Sequence, residues 1–110
     1  MIMNFLENII FTRPRRGEIW ICNLKQNTGS EQNGSRPCIV LNTPDRLENT
    51  CVIIPASGTI RKHSFVFAGY NFLLHQIRVI DHKRLIRLLT RLSKAETEEI
   101  LVALWKFFHK

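Results

Sequence analysis

The stretch EIWICNLKQNTGSEQNGSRPCIVL, residues 18–41, joins two apolar segments through a long polar connection. In Glu18–Leu24 the side chains alternate between two faces, which predicts a strand. The run Pro37–Leu41 is continuously apolar, which is typical of a strand buried on both faces. The connection Lys25–Pro37 is longer than the usual hairpin loop of about 2–5 residues. Because its backbone groups need hydrogen-bond partners, we expect this connection to stay near water, as a binding loop or a disordered one.

Three further segments predict short strands: Cys51–Ile54 ended by Pro55, Ser64–Phe67, and the longer apolar stretch Asn71–Ile80. A polar stretch from Ser57 to His63 separates the first two of these segments. The sequence therefore predicts five short strands with long polar connections between them.

The hydrophobic period changes after the last of these strands. Asp81 is expected to cap a helix that reaches about Arg91, with Leu85, Leu88 and Leu89 pointing inward. The sequence Ser93-Lys94-Ala95-Glu96 fits a capping box and predicts a final helix from roughly Lys94 to Phe108. Its expected apolar stripe consists of Ile100, Leu101, Leu104, Phe107 and Phe108. Short strands followed by helices predict an α+β, mainly β, fold, in which a small barrel carries helices packed on it.

The charge of the chain favours a polyanionic partner. Its 110 residues suit one domain, and its net charge is +7 with a pI of about 9.9. Residues 1–55 hold six basic and five acidic side chains, whereas residues 56–110 hold ten basic and four acidic ones. The positive excess therefore lies in the second half, and it fits nucleic acid, an acidic protein or an anionic membrane. The alternative is a cationic surface that serves only solubility.

The three cysteines, Cys22, Cys38 and Cys51, lie within apolar runs. We expect them to be small buried hydrophobic residues in a reducing compartment, because no close pairing predicts a disulfide framework. No zinc-binding spacing occurs, so neither a metal nor a cofactor is expected.

The N-terminal segment 1–13 is expected to be a short extension of a single domain at 14–110. Its apolar part is followed rather than preceded by basic residues, which does not fit a secretory signal. No apolar run approaches the roughly 18 residues that a membrane span needs. We therefore expect a cytoplasmic protein with no membrane partner.

Four motifs resemble the MazF/PemK family of toxin endoribonucleases. Arg16-Gly17-Glu18-Ile19-Trp20 is similar to the opening motif of the family, and Gly29–Pro37 matches its G-S-E-Q-x-G-x-R-P loop without a gap. Cys51–Gly58 resembles the family's strand that ends in a hydroxyl residue. Gln76–Asp81 (QIRVID) resembles its Q-I-R motif. Together these motifs extend over most of the chain, from about Arg16 to Phe107.

The resemblance implies a fold, an activity and partners. The fold would be an SH3-like small barrel of the CcdB/MazF type, with a C-terminal helix packed on it, that forms a homodimer. The activity would be metal-independent, sequence-specific cleavage of single-stranded RNA, often mRNA. The partner would be a cognate antitoxin, acidic and partly disordered, and the toxin–antitoxin complex would bind DNA.

The resemblance also implies site residues. Arg36 and Ser57 fall at the family's catalytic pair, where Ser57 departs from the usual threonine. RNA-binding positions are implied at Ser30, Glu31, Gln32, Arg61, Lys62 and Gln76. Among these residues Glu31 is the one expected to be structural, because phosphates repel a carboxylate.

Other readings of the same residues remain open. A gyrase-poisoning toxin of the same fold would act by binding protein, although the C-terminus here lacks the Trp-Gly-Ile of that branch. An inactive member would bind RNA or antitoxin without catalysis, and the serine at position 57 keeps this alternative open. A generic barrel that binds nucleic acid is the third alternative.

Overall fold

The computed structural model describes residues 13–24, 34–45, 47–58 and 64–109. Within these ranges the strands are β1 (Glu18–Leu24), β2 (Gly34–Val40), β3 (Thr50–Ser57), β4 (Ser64–Phe67), β5 (Tyr70–Leu73), β6 (Arg78–Asp81) and β7 (Leu85–Arg91). An α-helix, α1, spans Lys94–Phe108. Two 3₁₀ turns, Leu74–Gln76 and His82–Arg84, separate β5 from β6 and β6 from β7. The predicted extension at residues 1–13 lies outside the described residues except for its last residue.

All strand pairs are antiparallel, and the order across the sheet is β4-β5-β3-β2-β1-β7. Strands β5 and β6 pair with the same edge of β3. Strand β6 pairs with the first half of β3, and β5 pairs with its last two residues. Five strands, in the order β6-β3-β2-β1-β7, therefore form one curved layer whose two end strands are joined by the 3₁₀ turn His82–Arg84. In the part of the chain that the structure describes, β6 and β7 do not pair with each other, so the barrel-like sheet is not closed.

The sheet buries side chains on both of its faces. One face carries a core built from strands alone, here called the strand core: Trp20, Cys22, Leu24, Cys38, Val40, Cys51, Ile53, Ile80, Leu85 and Leu88. The other face carries the helix core: Ile19, Ile39, Leu41, Ile54, Ala56, Phe72, Leu74, Leu92, Ile100 and Leu104. The neighbouring residues Ile39 and Val40 belong to different cores, and both are fully buried. The predicted burial of this apolar run on both faces is therefore confirmed.

Helix α1 begins and ends where the sequence predicts. The Ser93 hydroxyl accepts a hydrogen bond from the Glu96 amide at 3.1 Å, and the Glu96 carboxylate accepts one from the Ser93 amide at 2.8 Å. This reciprocal capping box satisfies two amides at the helix N-terminus. Ile100 and Leu104 are buried in the helix core, but Phe108, the last residue of the helix, is 59% exposed and does not belong to the stripe. Among the described residues, no helix has the length and apolar composition needed to cross a membrane.

The helix predicted from Asp81 to Arg91 is wrong. Asp81 does cap the chain, since its carboxylate accepts a hydrogen bond from the Lys83 amide at 2.8 Å, but only one 3₁₀ turn follows. Leu85–Arg91 is strand β7, which pairs with β1. A short apolar run is compatible with the periodicity of a helix or of a strand. Here the segment forms a strand, because β1 supplies hydrogen-bond partners for its backbone. Two register irregularities in this pair break the strict alternation that would have indicated a strand.

The sequence predicts that the strand beginning near Cys51 ends at Pro55. This prediction is wrong, because β3 continues to Ser57. The Leu41 amide donates to the Val52 carbonyl at 2.9 Å, so even-numbered residues of β3 direct their backbone groups toward β2. Pro55 therefore faces the opposite edge, where pairing with β6 stops at Ile53 and pairing with β5 starts at Ala56. Neither β5 nor β6 pairs with β3 at Pro55, so no partner strand needs the backbone N–H that proline lacks. The strand therefore tolerates a proline at this position.

Candidate active site at the ends of strands β2 and β3

Arg36 and Ser57, the two predicted catalytic residues, lie at the same end of adjacent strands. Strands β2 and β3 pair in a register that joins Cys38 to Pro55. Two residues further along each strand, the same register places Arg36 opposite Ser57. Facing residues of an antiparallel pair lie about 4.5–5.5 Å apart between Cα atoms and direct their side chains to one face. Extended beyond its last printed pair, this register therefore directs both side chains to the face of the sheet that carries the strand core.

The site lies where the strand core meets solvent. Ser57 is 9% exposed, whereas the next residue, Gly58, is exposed. Arg36 is half-buried, and its backbone carbonyl accepts a hydrogen bond from the Cys38 thiol at 3.5 Å. Arg36 also pairs with Cys22 of β1, which fixes its place in the sheet. A buried hydroxyl and a half-buried guanidinium at the same end of two adjacent strands are both hydrogen-bond donors suited to a phosphate group.

Asn71 of β5 is a further polar residue at this end of the sheet. It lies directly opposite Ser57 in the β3–β5 pair and is 7% exposed. Since facing residues share a face, its amide lies on the same side of the sheet as the Ser57 hydroxyl. Sequence reasoning missed Asn71 because it was read as the start of an apolar stretch. The signal in the sequence that could have indicated Asn71 is that a polar residue directly precedes the apolar residues Phe72 and Leu73.

Gln76, a predicted RNA-binding residue, is half-buried in the 3₁₀ turn between β5 and β6. An open cavity of about 460 Å³ lies at this turn. It is lined by His75, Gln76, Ile77, Arg78 and Val79. Because β5 and β6 pair with the same edge of β3, this cavity lies along the edge that ends at Ser57.

The other predicted RNA-binding residues lie outside the described residues: Ser30, Glu31, Gln32, Arg61 and Lys62. The described residues that flank them are close to the site. Leu24 and Gly34, which flank residues 25–33, face each other in the β1–β2 pair. Gly58, which precedes residues 59–63, directly follows Ser57.

All three cysteines are buried in the strand core and free, which confirms their predicted burial. A hydrogen bond with Cys38, followed by burial, raises the pKa of Cys22 far above its ordinary value of 9.0. Burial, followed by the neighbouring Cys22 and Asp81, raises the pKa of Cys51 from 9.0 to about 12. Within the described ranges, no three histidine, cysteine or acidic side chains lie close enough together to hold a metal ion.

We expect the buried thiols to make the fold sensitive to alkali. Because the folded state retains a proton that the unfolded chain releases, stability from Cys51 is complete below pH 9.0 and is lost as the pH rises toward about 12. The slope is about 1.4 kcal/mol per pH unit for each such thiol. Urea unfolding between pH 8 and 11 measures it, with Cys51→Ala as the control. Identical slopes in the two proteins would exclude Cys51 as a contributor.

A family model described as PemK-like, MazF-like toxin of type II toxin–antitoxin systems matches residues 15–108. The chain therefore belongs to this toxin family, as its motifs predicted.

Solved structures share the fold and confirm the predicted class, a mainly antiparallel β-sheet carrying a C-terminal helix. MazF from Deinococcus radiodurans superposes with a TM-score of 0.74 at 18% identity, over 89% of this chain and 98% of that one. An endoribonuclease in complex with its cognate antitoxin, from a Mycobacterial species, gives a TM-score of 0.70 at 16% identity, with 88% and 94% of the two chains covered. The toxin MazF-mt6 of Mycobacterium tuberculosis gives 0.62 at 14% identity, with 84% and 96% covered.

Proposed function

We propose that this protein is a sequence-specific, metal-independent endoribonuclease that cleaves single-stranded RNA, and that it is the toxin of a toxin–antitoxin module that inhibits translation and growth. The observation that carries the proposal is the β2–β3 register, which, extended two residues beyond the pair Cys38–Pro55, sets Arg36 opposite Ser57. Family membership supports the substrate class, because solved structures that share the fold include proteins described as endoribonucleases.

The proposed reaction uses the 2′-hydroxyl of RNA as its nucleophile. This oxygen forms a bond to the adjacent phosphorus as it loses its proton, and the bond from phosphorus to the 5′-oxygen breaks as that oxygen gains one. The products are a 2′,3′-cyclic phosphate and a 5′-hydroxyl end. The protein must therefore orient the phosphate, stabilise the negative charge that develops on its oxygens and provide for the two proton transfers.

Arg36 and Ser57 suit the first two of these tasks. A guanidinium is a planar fork that donates to two phosphate oxygens at once, so Arg36 stabilises the developing charge. Because the pKa of arginine exceeds about 12, Arg36 is a poor general base, and charge stabilisation is its main role. The Ser57 hydroxyl donates a hydrogen bond that orients the phosphate for in-line attack.

We further propose that the protein acts in the cytoplasm as a homodimer and is neutralised by an acidic, partly disordered antitoxin. The net charge of +7 supports an acidic partner. MazE–MazF complexes from Deinococcus radiodurans are among the structures that share this fold. If the attraction is electrostatic, raising the salt concentration weakens the complex, and binding that is unchanged at high salt would contradict this origin.

One experiment separates the proposed function from its alternatives. The purified protein is incubated in EDTA with a long single-stranded RNA, and the new 5′ ends are mapped. Cuts at a defined sequence support the endoribonuclease. Retarded but intact RNA would indicate a binding protein, and inhibited gyrase without any effect on RNA would indicate a gyrase poison.

Ser57→Ala is expected to lower the cleavage rate by about 10²-fold or more, because one preorganised donor to the phosphate is lost. The matched variant Ser57→Thr keeps the hydroxyl and adds a methyl group that restricts its rotamer, so we expect activity equal to or above that of the wild type. Single-turnover cleavage of one RNA measures all three proteins. Unchanged activity of the alanine variant would remove Ser57 from the mechanism.

A further inference from the structure

Arg78 carries an unsatisfied hydrogen-bond donor. Its Nη1 atom is buried and has no hydrogen-bond partner, and it is the one side-chain atom in this condition among the described residues. Leaving a donor of a charged group without an acceptor costs stability, so such groups are usually paired in native proteins. Each exception therefore needs an explanation, and a functional role is one of those known.

The position of Arg78 relates it to the candidate active site. It is the first residue of β6 and lies opposite Ile53 of β3, so it shares the face of Ile53. Ser57 lies four residues further along β3 on that same face, which corresponds to about 13 Å of strand. Arg78 is therefore beside the proposed site of cleavage and does not coincide with it.

The surroundings of Arg78 suit an anionic ligand. Arg78 lines the open cavity of about 460 Å³ together with Gln76, a predicted RNA-binding residue. None of the described residues that line this cavity is acidic. The carboxylate of Asp81, on the same strand, already accepts a hydrogen bond from the Lys83 amide. The volume lies within the range of about 300–1,000 Å³ found for ligand pockets.

We propose that Arg78 binds a phosphate of the RNA adjacent to the phosphate that is cleaved, and that the cavity at residues 75–79 receives the flanking nucleotide. This inference rests on the proposed function and extends it. Because Arg78 lines the cavity, a turn of its guanidinium toward the cavity brings it to a phosphate oxygen, which supplies the acceptor that Nη1 lacks in the free protein. Arg78 thus positions the strand and does not act on the reacting atoms, so its loss weakens RNA binding more than it slows the chemical step.

The experiment compares Arg78→Met, Arg78→Lys and the control Arg87→Met, which removes the same charge from an exposed position on β7. The probe is a fully 2′-O-methylated RNA oligonucleotide of a sequence that the wild type cleaves or, failing that, retards, because the methylated sugar lacks the nucleophile. Binding is measured over a range of salt concentrations. Thermal unfolding and mass by light scattering are measured on the free proteins.

We expect Arg78→Met to weaken binding about tenfold and to reduce the slope of log affinity against log salt by about 0.7, the value for one phosphate contact on a single strand. Arg78→Lys keeps most of the slope, since a lysine remains a point charge for a phosphate. Arg87→Met has a smaller effect on the slope. We expect the melting temperature of Arg78→Met to change little, because the buried Nη1 atom makes no hydrogen bond that the substitution could break.

An unchanged salt slope in Arg78→Met would overturn the inference. A lower melting temperature alongside the unchanged slope would indicate a structural role, and a changed oligomeric mass alongside it would indicate a contact with another protein chain. Wild-type cleavage is measured in parallel. If the wild type binds the probe but cleaves no RNA, the proposed function fails and the slope still decides the role of Arg78.

Discussion

Arg36→Ala is expected to lower the rate of RNA cleavage by about 10²–10³-fold, because the transition state loses its principal charge-stabilising donor. The effect should be on kcat more than on KM, since the charge on the phosphate oxygens develops during the reaction. The substitution should leave the fold intact. Arg36 is only half-buried near one end of β2, and the adjacent strand core at Cys38 and Val40 is unchanged.

The variant Arg36→Lys tests the geometry of the guanidinium separately from its charge. A lysine ammonium keeps the positive charge but cannot donate in two parallel hydrogen bonds, so we expect activity between those of Arg36→Ala and the wild type. Arg87→Ala, on an exposed strand position, is the control for net charge. The measurement is single-turnover cleavage of one RNA together with urea unfolding of each variant. Loss of activity that is matched by loss of stability, or an equal loss in Arg87→Ala, would contradict a catalytic role for Arg36.

Local signals in the sequence were sufficient for much of the scaffold. The capping box at Ser93–Glu96 fixes the start of α1 through contacts within one turn, so it is visible in four residues. The alternation in Glu18–Leu24 predicts β1 because three of its side chains, Trp20, Cys22 and Leu24, all face the strand core. The pairing of Arg36 with Ser57 was implied by family resemblance. The β2–β3 register, extended two residues beyond Cys38 and Pro55, is compatible with it.

The remaining features depend on contacts that are distant in sequence. Leu85–Arg91 becomes a strand because β1 offers it an edge, and Pro55 remains within β3 because two different strands leave a gap opposite it. Neither fact is present in the local pattern. Burial and strand register identify Asn71 and Arg78 as candidate site residues, and a single sequence shows neither property.

The second large effect is expected from Glu18, the first residue of β1, whose side chain is 5% exposed. One carboxylate oxygen accepts hydrogen bonds from the Arg15 amide at 2.8 Å and from the Trp20 indole at 3.1 Å. The other accepts from the Arg91 guanidinium at 3.1 Å, which joins the first residue of β1 to the last residue of β7. Glu18→Ala should lower the free energy of unfolding by about 2–4 kcal/mol, because the buried Trp20 indole and the part-buried Arg15 amide lose their acceptor.

The comparison with Arg91 shows which part of this network stabilises the fold. The Arg91 side chain is 67% exposed, so water solvates it when Glu18 is absent, and Arg91→Ala should cost no more than about 1 kcal/mol. Glu18→Gln keeps a neutral acceptor for the Arg15 amide and the Trp20 indole but places an amide toward Arg91, so an intermediate loss is expected. Urea unfolding at pH 7 ranks the three variants. A loss in Arg91→Ala as large as that in Glu18→Ala would assign the stabilisation to the ion pair. The expected order assigns it instead to the hydrogen bonds that Glu18 accepts from the Trp20 indole and the Arg15 amide.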